Sequence, residues 1–268
     1  MRLVVISPES CDEREIEVLG SLMALGLERY HVRKPHWSAS ELASWLGHLQ
    51  DGWRPRIVLH QHHELVERFG LGGRHWRDVG NEPDVGAIPQ RQAQSTPLSD
   101  EGVWVSPRIG LMDSVDAALQ RGAFTSRSCH ELATLRAALG RFDSVFLSPV
   151  FPSLSKPGYG PGSENRFGNM VVAEHPRPAA QTVGSGVPPT GFSINDVMDI
   201  LAHRAKSERH TSVFALGGVT MENMAQVRAL GFDGAAVLGA VWQAADPVAA
   251  FLLLQAKSEA LRFATTSL

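Results

Sequence analysis

Val213-Phe214-Ala215-Leu216-Gly217-Gly218-Val219 and, one helix later, Ala235-Ala236-Val237-Leu238-Gly239-Ala240 are the stretches on which the fold turns. Each is a short apolar run that stops at glycine, so Val213–Leu216 and Ala235–Leu238 read as strands with tight exits. A helix is expected over Met221–Leu230 between them, another over Asn195–Lys206 before them, and a terminal one from about Pro247. Upstream the same alternation repeats. Leu3–Ile6, Arg29–Arg33, Ile57–His60, Gly73–Trp76, Ala123–Ser126 and Ser144–Ser148 read as six further strands. Helices are expected after Asp12 as a cap, with Ile16, Leu19, Leu22 and Met23 on one face, and over about Ser40–Leu49 and His63–Phe69. Two more are expected over Ser114–Gln120 and Glu131–Leu139. Eight strand–helix units in 268 residues match a single α/β domain, a (β/α)8 TIM barrel, whose active site sits at the C-terminal strand ends. An open doubly wound sheet is the competing fold and fits the count less well.

Two stretches interrupt the rhythm. One insertion covers about 77–110, with Asn81-Glu82-Pro83, Pro89 and Pro97. A second interruption, rich in Gly, Pro and Ser, runs from Pro149 to about Ser193, with the insertion proper over about 157–192. Loops of that length commonly lie over one face of a domain.

Composition narrows the class. The chain is 43% hydrophobic and 20% charged, with a net charge of −3 and no run of Lys and Arg. That argues against nucleic acid as a partner but leaves room for a small phosphorylated ligand. Two cysteines, Cys11 and Cys129, imply no disulfide framework and fit a cytoplasmic protein. No apolar run approaches the roughly 20 residues that span a membrane. A homo-oligomer is compatible with all of this.

Candidate chemistry gathers at the expected strand ends. Gly217, Gly218 and Gly239 follow the seventh and eighth strands, where barrel enzymes hold phosphate on backbone amides; the alternative is that they only make tight turns. Arg33 and Lys34 end the second strand and Lys156 follows the sixth, three cations expected on the rim. His60, His62 and His63 follow the third strand, and His75 lies on the fourth. His60 and His62 could share a face, yet no Cys or carboxylate set completes a tetrahedral site, so no metal is assigned. In Ser128-Cys129-His130, placed after the fifth strand, His130 suits general acid–base work because histidine titrates near neutral pH. Cys129 and His130 point apart as neighbours on a strand end, which disfavours a thiol dyad.

Several of these motifs resemble the thiamine phosphate synthase and thiazole tautomerase family. His31-Val32-Arg33-Lys34-Pro35 is similar to its second-strand Gln-Leu-Arg-Glu-Lys, and Ser128-Cys129-His130 matches its Ser-x-His. Ser148-Pro149-Val150-Phe151-Pro152-Ser153-Leu154-Ser155-Lys156 resembles its Gly-Pro-Val-Phe-Pro-Thr-x-x-Lys, the most specific match. Gly217-Gly218-Val219 and Gly234-Ala235-Ala236-Val237 resemble its late glycine segments. The resemblance implies a ligand, a phosphorylated thiazole, held by Arg33, Lys34, His60, Ser128, Ser153, Lys156, Gly217, Gly218 and Gly239, with His130 catalytic.

The departures matter as much. The family's synthases hold Mg²⁺ on an acidic residue after strand three and an acidic pair after strand four. Here the matching register places His60 and Gln61 at the first site, Val79 and Gly80 at the second, with Asp78 one step away. The tautomerases need no metal, only a phosphate grip and one positioned acid–base group. The expected function is therefore a metal-free, cofactor-free thiazole tautomerase. A divergent synthase, which alone would require Mg²⁺ and would recruit Asp78 or the histidines, and a non-catalytic ligand-binding member are the alternatives.

Overall fold

The computed structural model describes residues 1–78, 123–152 and 192–263. Eight strands close into one barrel in chain order: β1 (Arg2–Ile6), β2 (Tyr30–Val32), β3 (Ile57–Leu59), β4 (Gly73–Trp76), β5 (Phe124–Cys129), β6 (Ser144–Leu147), β7 (Ser212–Leu216) and β8 (Gly234–Val237). Every neighbouring pair is parallel, and β8 returns to β1 through Leu3↔Ala235 and Val5↔Val237. This is the (β/α)8 architecture that the alternation implies.

The helices are α1 (Glu15–Ala24), α2 (Ala39–Leu46), α3 (Leu65–Phe69), α4 (Leu132–Ala138), α5 (Ile194–Ala202), α6 (Met224–Ala229), α7 (Gly239–Trp242) and α8 (Pro247–Phe263). Outward-facing residues such as Val5, Val32, Leu59, Val145 and Val213 join the helices in the main core. Val4, Ile6, Phe146, Phe214 and Ala236 form a separate cluster inside the barrel. Period-two alternation makes that division, since successive strand residues point to opposite faces. The last two helices close the ring: Ser258 O of α8 accepts from the Met1 ammonium at 2.9 Å, and Trp242 Nε1 of α7 donates to Ile6 O at 2.9 Å.

Several expectations are corrected. Asp12 does not cap α1; its carboxylate accepts from the Arg14 backbone and guanidinium instead, and α1 opens at Glu15. Ser38, with Glu41, forms a capping box that starts α2 one residue before the expected position. The fifth strand runs three residues beyond Ser126, so Ser128 and Cys129 lie within β5 and only His130 follows it. After β8 a short helix, α7, precedes the terminal one. The helix expected over Ser114–Gln120 and nearly all of both insertions lie outside the described residues.

Candidate functional site

A cavity of about 490 Å³ opens at the C-terminal ends of the strands. Its walls are strand exits: Ile6, Arg33, His60, Asp78, Ser128, Ser148, Gly217 and Gly239 from the eight strands in turn. Barrel topology alone brings these residues together, because each strand starts at the bottom and ends at the same rim.

His130 is held from two sides. Its Nδ1 donates to Ser148 O at 2.8 Å, and its backbone N–H donates to Asp78 Oδ2 at 2.9 Å. A carbonyl can only accept, so in the neutral ring the lone pair resides on Nε2. Asp78 also receives Thr134 Oγ1 at 3.1 Å and pairs with Arg127 at 3.3 Å. Asp78 was singled out in sequence only as a substitute metal ligand; its carboxylate is committed to anchoring the segment that carries His130. Cys129 is buried, and burial, followed by the nearby Asp78 charge, pushes its thiol up to about 12. It faces the outer core and forms no dyad with His130.

The glycines do two jobs. Gly217 and Gly218 line the cavity and also adopt φ of +91° and +62°. A Cβ on Gly218 would overlap the Pro152 carbonyl and Phe151, and one on Gly217 would come within 3.0 Å of Pro149. The loop after β6 is tied onto this turn by Val150 N to Leu216 O at 3.0 Å and Phe151 N to Gly217 O at 3.2 Å. Asn223 braces it from the far side, donating to Gly218 O at 2.8 Å. Any side chain at Gly218 therefore disturbs the loop before it meets a ligand. Gly239 lines the cavity at the first turn of α7, where backbone N–H groups have no intrahelical acceptor.

The three expected cations part company. Arg33 lines the cavity and pairs with Glu9 there. Lys34 does not reach it, which corrects the expectation of a rim cation. Its side chain is wholly buried, with Nζ 2.5 Å from Glu15 Oε2 and 3.0 Å from Ser10 O. Tyr30 OH completes the cluster by donating to Glu15 Oε1 at 2.8 Å. A buried ammonium needs a partner more than it needs solvent, and α1 supplies one. Lys156 and Ser153 lie outside the described residues. Arg77, unremarked in sequence, also lines the cavity.

His60 and His62 do not share a site. His62 Nε2 lies 2.9 Å from Trp37 O, and His63 Nε2 lies 3.1 Å from His75 O. His60 instead turns inward to meet His31 and His75. His31 Nδ1 and His60 Nε2 are 3.1 Å apart, and the His60 and His75 rings stack with centroids 3.9 Å apart. Ser126 and Ser128, two apart on β5, bracket His75 at 2.8 Å from Nδ1 and Nε2. Burial pushes the pKa of His31 and His60 well below the usual histidine value and that of His75 to about 3, with neighbouring rings and Arg33 adding to it. The three rings are thus neutral near pH 7.

Mg²⁺ demands oxygen ligands in near-octahedral array. Among the described residues the carboxylates lining the cavity are Glu9 and Asp78, and Glu9 is paired with Arg33. Gln61 donates its amide to Lys34 O, and Asp78 holds the His130 backbone, Thr134 and Arg127. Val79 and Gly80 lie outside the described residues.

No family model matches the chain, and no curated protein matches it in sequence. Solved structures do resemble it. A thiamine phosphate pyrophosphorylase from Bacteroides thetaiotaomicron is 19% identical with a TM-score of 0.60, the match covering 97% of this chain and 98% of that one. A thiamine phosphate pyrophosphorylase from Pyrococcus furiosus is 15% identical with a TM-score of 0.58, covering 97% and 96%. A 3-hexulose-6-phosphate synthase is 17% identical with a TM-score of 0.52, covering 96% and 99%. At these identities the likeness establishes the barrel fold.

Proposed function

We propose that the chain binds a phosphorylated thiazole in the rim cavity and moves a proton on its ring, as a thiazole tautomerase of thiamine biosynthesis. The observation that carries this reading is the placement of His130. It is a cavity-lining imidazole fixed by Ser148 O and by the backbone bond to Asp78, with its basic nitrogen unspent on that bond. Tautomerisation removes a proton from one ring position and returns one to another. One positioned base serves both steps, and nothing else is consumed. The phosphate is assigned to Gly217, Gly218 and Gly239, with Ser128 and Arg33 alongside. The motif over Ser148–Lys156 and the two pyrophosphorylases of like fold supply the thiamine connection.

Those same two structures favour a second reading, a divergent thiamine phosphate synthase joining hydroxymethylpyrimidine diphosphate to thiazole phosphate. The two readings separate on one comparison. Incubation with thiazole carboxylate phosphate in deuterated water should exchange a ring proton at a rate unaffected by added Mg²⁺. Release of pyrophosphate from the pyrimidine diphosphate, dependent on Mg²⁺, would replace the tautomerase with the synthase. Thiazole phosphate binding with neither reaction would make the protein a non-catalytic binder.

A further inference from the structure

His60, just past β3, lines the cavity, and beneath it His31 of β2 and His75 of β4 meet its ring inside the barrel. His31 and His75 are fully buried, and His60 is 8% exposed where it lines the cavity. One ring nitrogen from each lies within 4.8 Å of the other two, and among the described residues no other three metal-ligating side chains do this. Nitrogens bound to a tetrahedral zinc-type ion sit about 2.0–2.1 Å from it, hence roughly 3.3 Å from each other. The 3.1 Å between His31 Nδ1 and His60 Nε2 is close to that edge. As the rings stand, that contact needs a shared proton, which an ion would displace.

A second observation points the same way. His31 Nε2 is buried with no hydrogen-bond partner. It is one of four such side-chain atoms among the described residues and the one that belongs to this cluster. A ring flip exchanges each nitrogen with a carbon, so the ion is held by Nδ1, which faces His60, and reaches Nε2 only if the whole side chain reorients. His75 Nδ1 rests on the Ser126 hydroxyl, as the outer nitrogen of a metal-bound histidine rests on its support, and an ion at Nε2 would displace the Ser128 hydroxyl now bonded there.

We propose that His31, His60 and His75 bind one borderline divalent cation, Zn²⁺ or a first-row neighbour such as Co²⁺ or Ni²⁺, with a remaining coordination position open toward the cavity. Three imidazoles without a carboxylate suit that class and do not suit Mg²⁺. Because His60 and His75 are stacked, loading tilts one ring so that both lone pairs converge. Arg33 and Arg77 extend positive fields to these rings, so the loaded site favours an anion, hydroxide or a ligand carboxylate, in the open position. The site is independent of the tautomerase reading, since the ion takes no part in the proton transfer assigned to His130.

Metal-stripped full-length protein titrated with Co²⁺ should take up one equivalent and develop the visible absorption of tetrahedral Co²⁺, which Zn²⁺ then displaces. X-ray absorption of the Zn²⁺-loaded protein should count three imidazole ligands. Ser126→Ala should weaken binding about 10–100-fold, the usual effect of losing an outer support, and His60→Asn by more than that. His203→Ala, which removes an exposed histidine paired with Asp199, should leave binding unchanged. Absence of saturable uptake, fewer than three imidazoles, or unchanged affinity in folded His60→Asn would each overturn the site. If His60→Asn fails to fold, the ligand count on the unaltered protein decides.

Discussion

The two halves of the barrel interior are built from the same backbone and opposite side chains. Between β6 and β1 the inward positions are Phe146, Phe214, Ala236, Val4 and Ile6, an apolar cluster that excludes water by packing alone. Between β2 and β5 they are His31, His60, His75, Ser126 and Ser128, joined by hydrogen bonds and ring stacking. Phe146 is the divider: its ring lies 5.5 Å from Phe214 on one side and 4.8 Å from His31 on the other. The apolar half carries one buried hydroxyl without a partner, Ser144, on the face of Phe146, and ends at the rim in glycines. The polar half must satisfy every buried nitrogen and hydroxyl, and leaves His31 Nε2 unsatisfied. A fold tolerates such a half only at a cost, which marks it as the place where ligand chemistry concentrates.

The sharpest way to break that division is His130→Asn. Turnover per folded molecule should fall about 10²–10⁴-fold, with thiazole phosphate affinity and thermal stability nearly unchanged. A folded Asn variant with full activity would remove His130 from the mechanism. A drop in stability with turnover intact would reduce it to a structural residue beside Ser148.

Phe146→Ala attacks the divider itself. Removing a fully buried aromatic should cost about 3–5 kcal/mol of stability, read from denaturant melts, and loosen both halves. A loss below about 1 kcal/mol would show that the interior is not packed as described.

Ser126→Ala tests the polar half more gently. The hydroxyl is buried and holds His75 Nδ1, so about 1–3 kcal/mol of stability should go. An unchanged melting curve would mean that the polar half carries no hydrogen-bond energy of its own.

The smallest effect lies outside the barrel wall, at Cys129. Its folded pKa of about 12 exceeds the ordinary thiol value, so the folded state keeps a proton that the unfolded state gives up. The stability it contributes is complete below about pH 9 and is lost as pH rises from there toward 12, at no more than about 1.4 kcal/mol per pH unit. Cys129→Ala should flatten that part of the stability profile. Thiol reagents at pH 8 should label the exposed Cys11 and spare Cys129 in the folded protein; rapid labelling of both would contradict the burial.

Six of the strands were legible because each contains a short apolar run bounded by turn residues; β4 (Gly73–Trp76) and β5 (Phe124–Cys129) are mostly polar and were legible from the alternation around them. Lys34 shows where that legibility ended. As a cation at a strand end it reads as a rim residue, but α1 packs against β2 and offers Glu15, nineteen residues upstream, and a buried pair forms. His31 shows it again. A lone histidine in an apolar strand looks like any core residue, and its pairing with His60 spans twenty-nine positions. Ser126 and Ser128 did carry a signal: two polar residues spaced by two on one strand share a face and need a partner there.

The sequence by itself determined the order of elements, the closed parallel barrel and the rim on which His130 and the glycines stand. Those follow from hydrophobic periodicity and from the rule that parallel strands ending in loops present them on one face. Tertiary structure alone decided that Asp78 anchors the His130 segment, that Lys34 is withdrawn, and that His31 and His75 meet His60 beneath the cavity. The reason is geometric. A contact of 3 Å between residues on different strands depends on register and closure, and no local pattern encodes either.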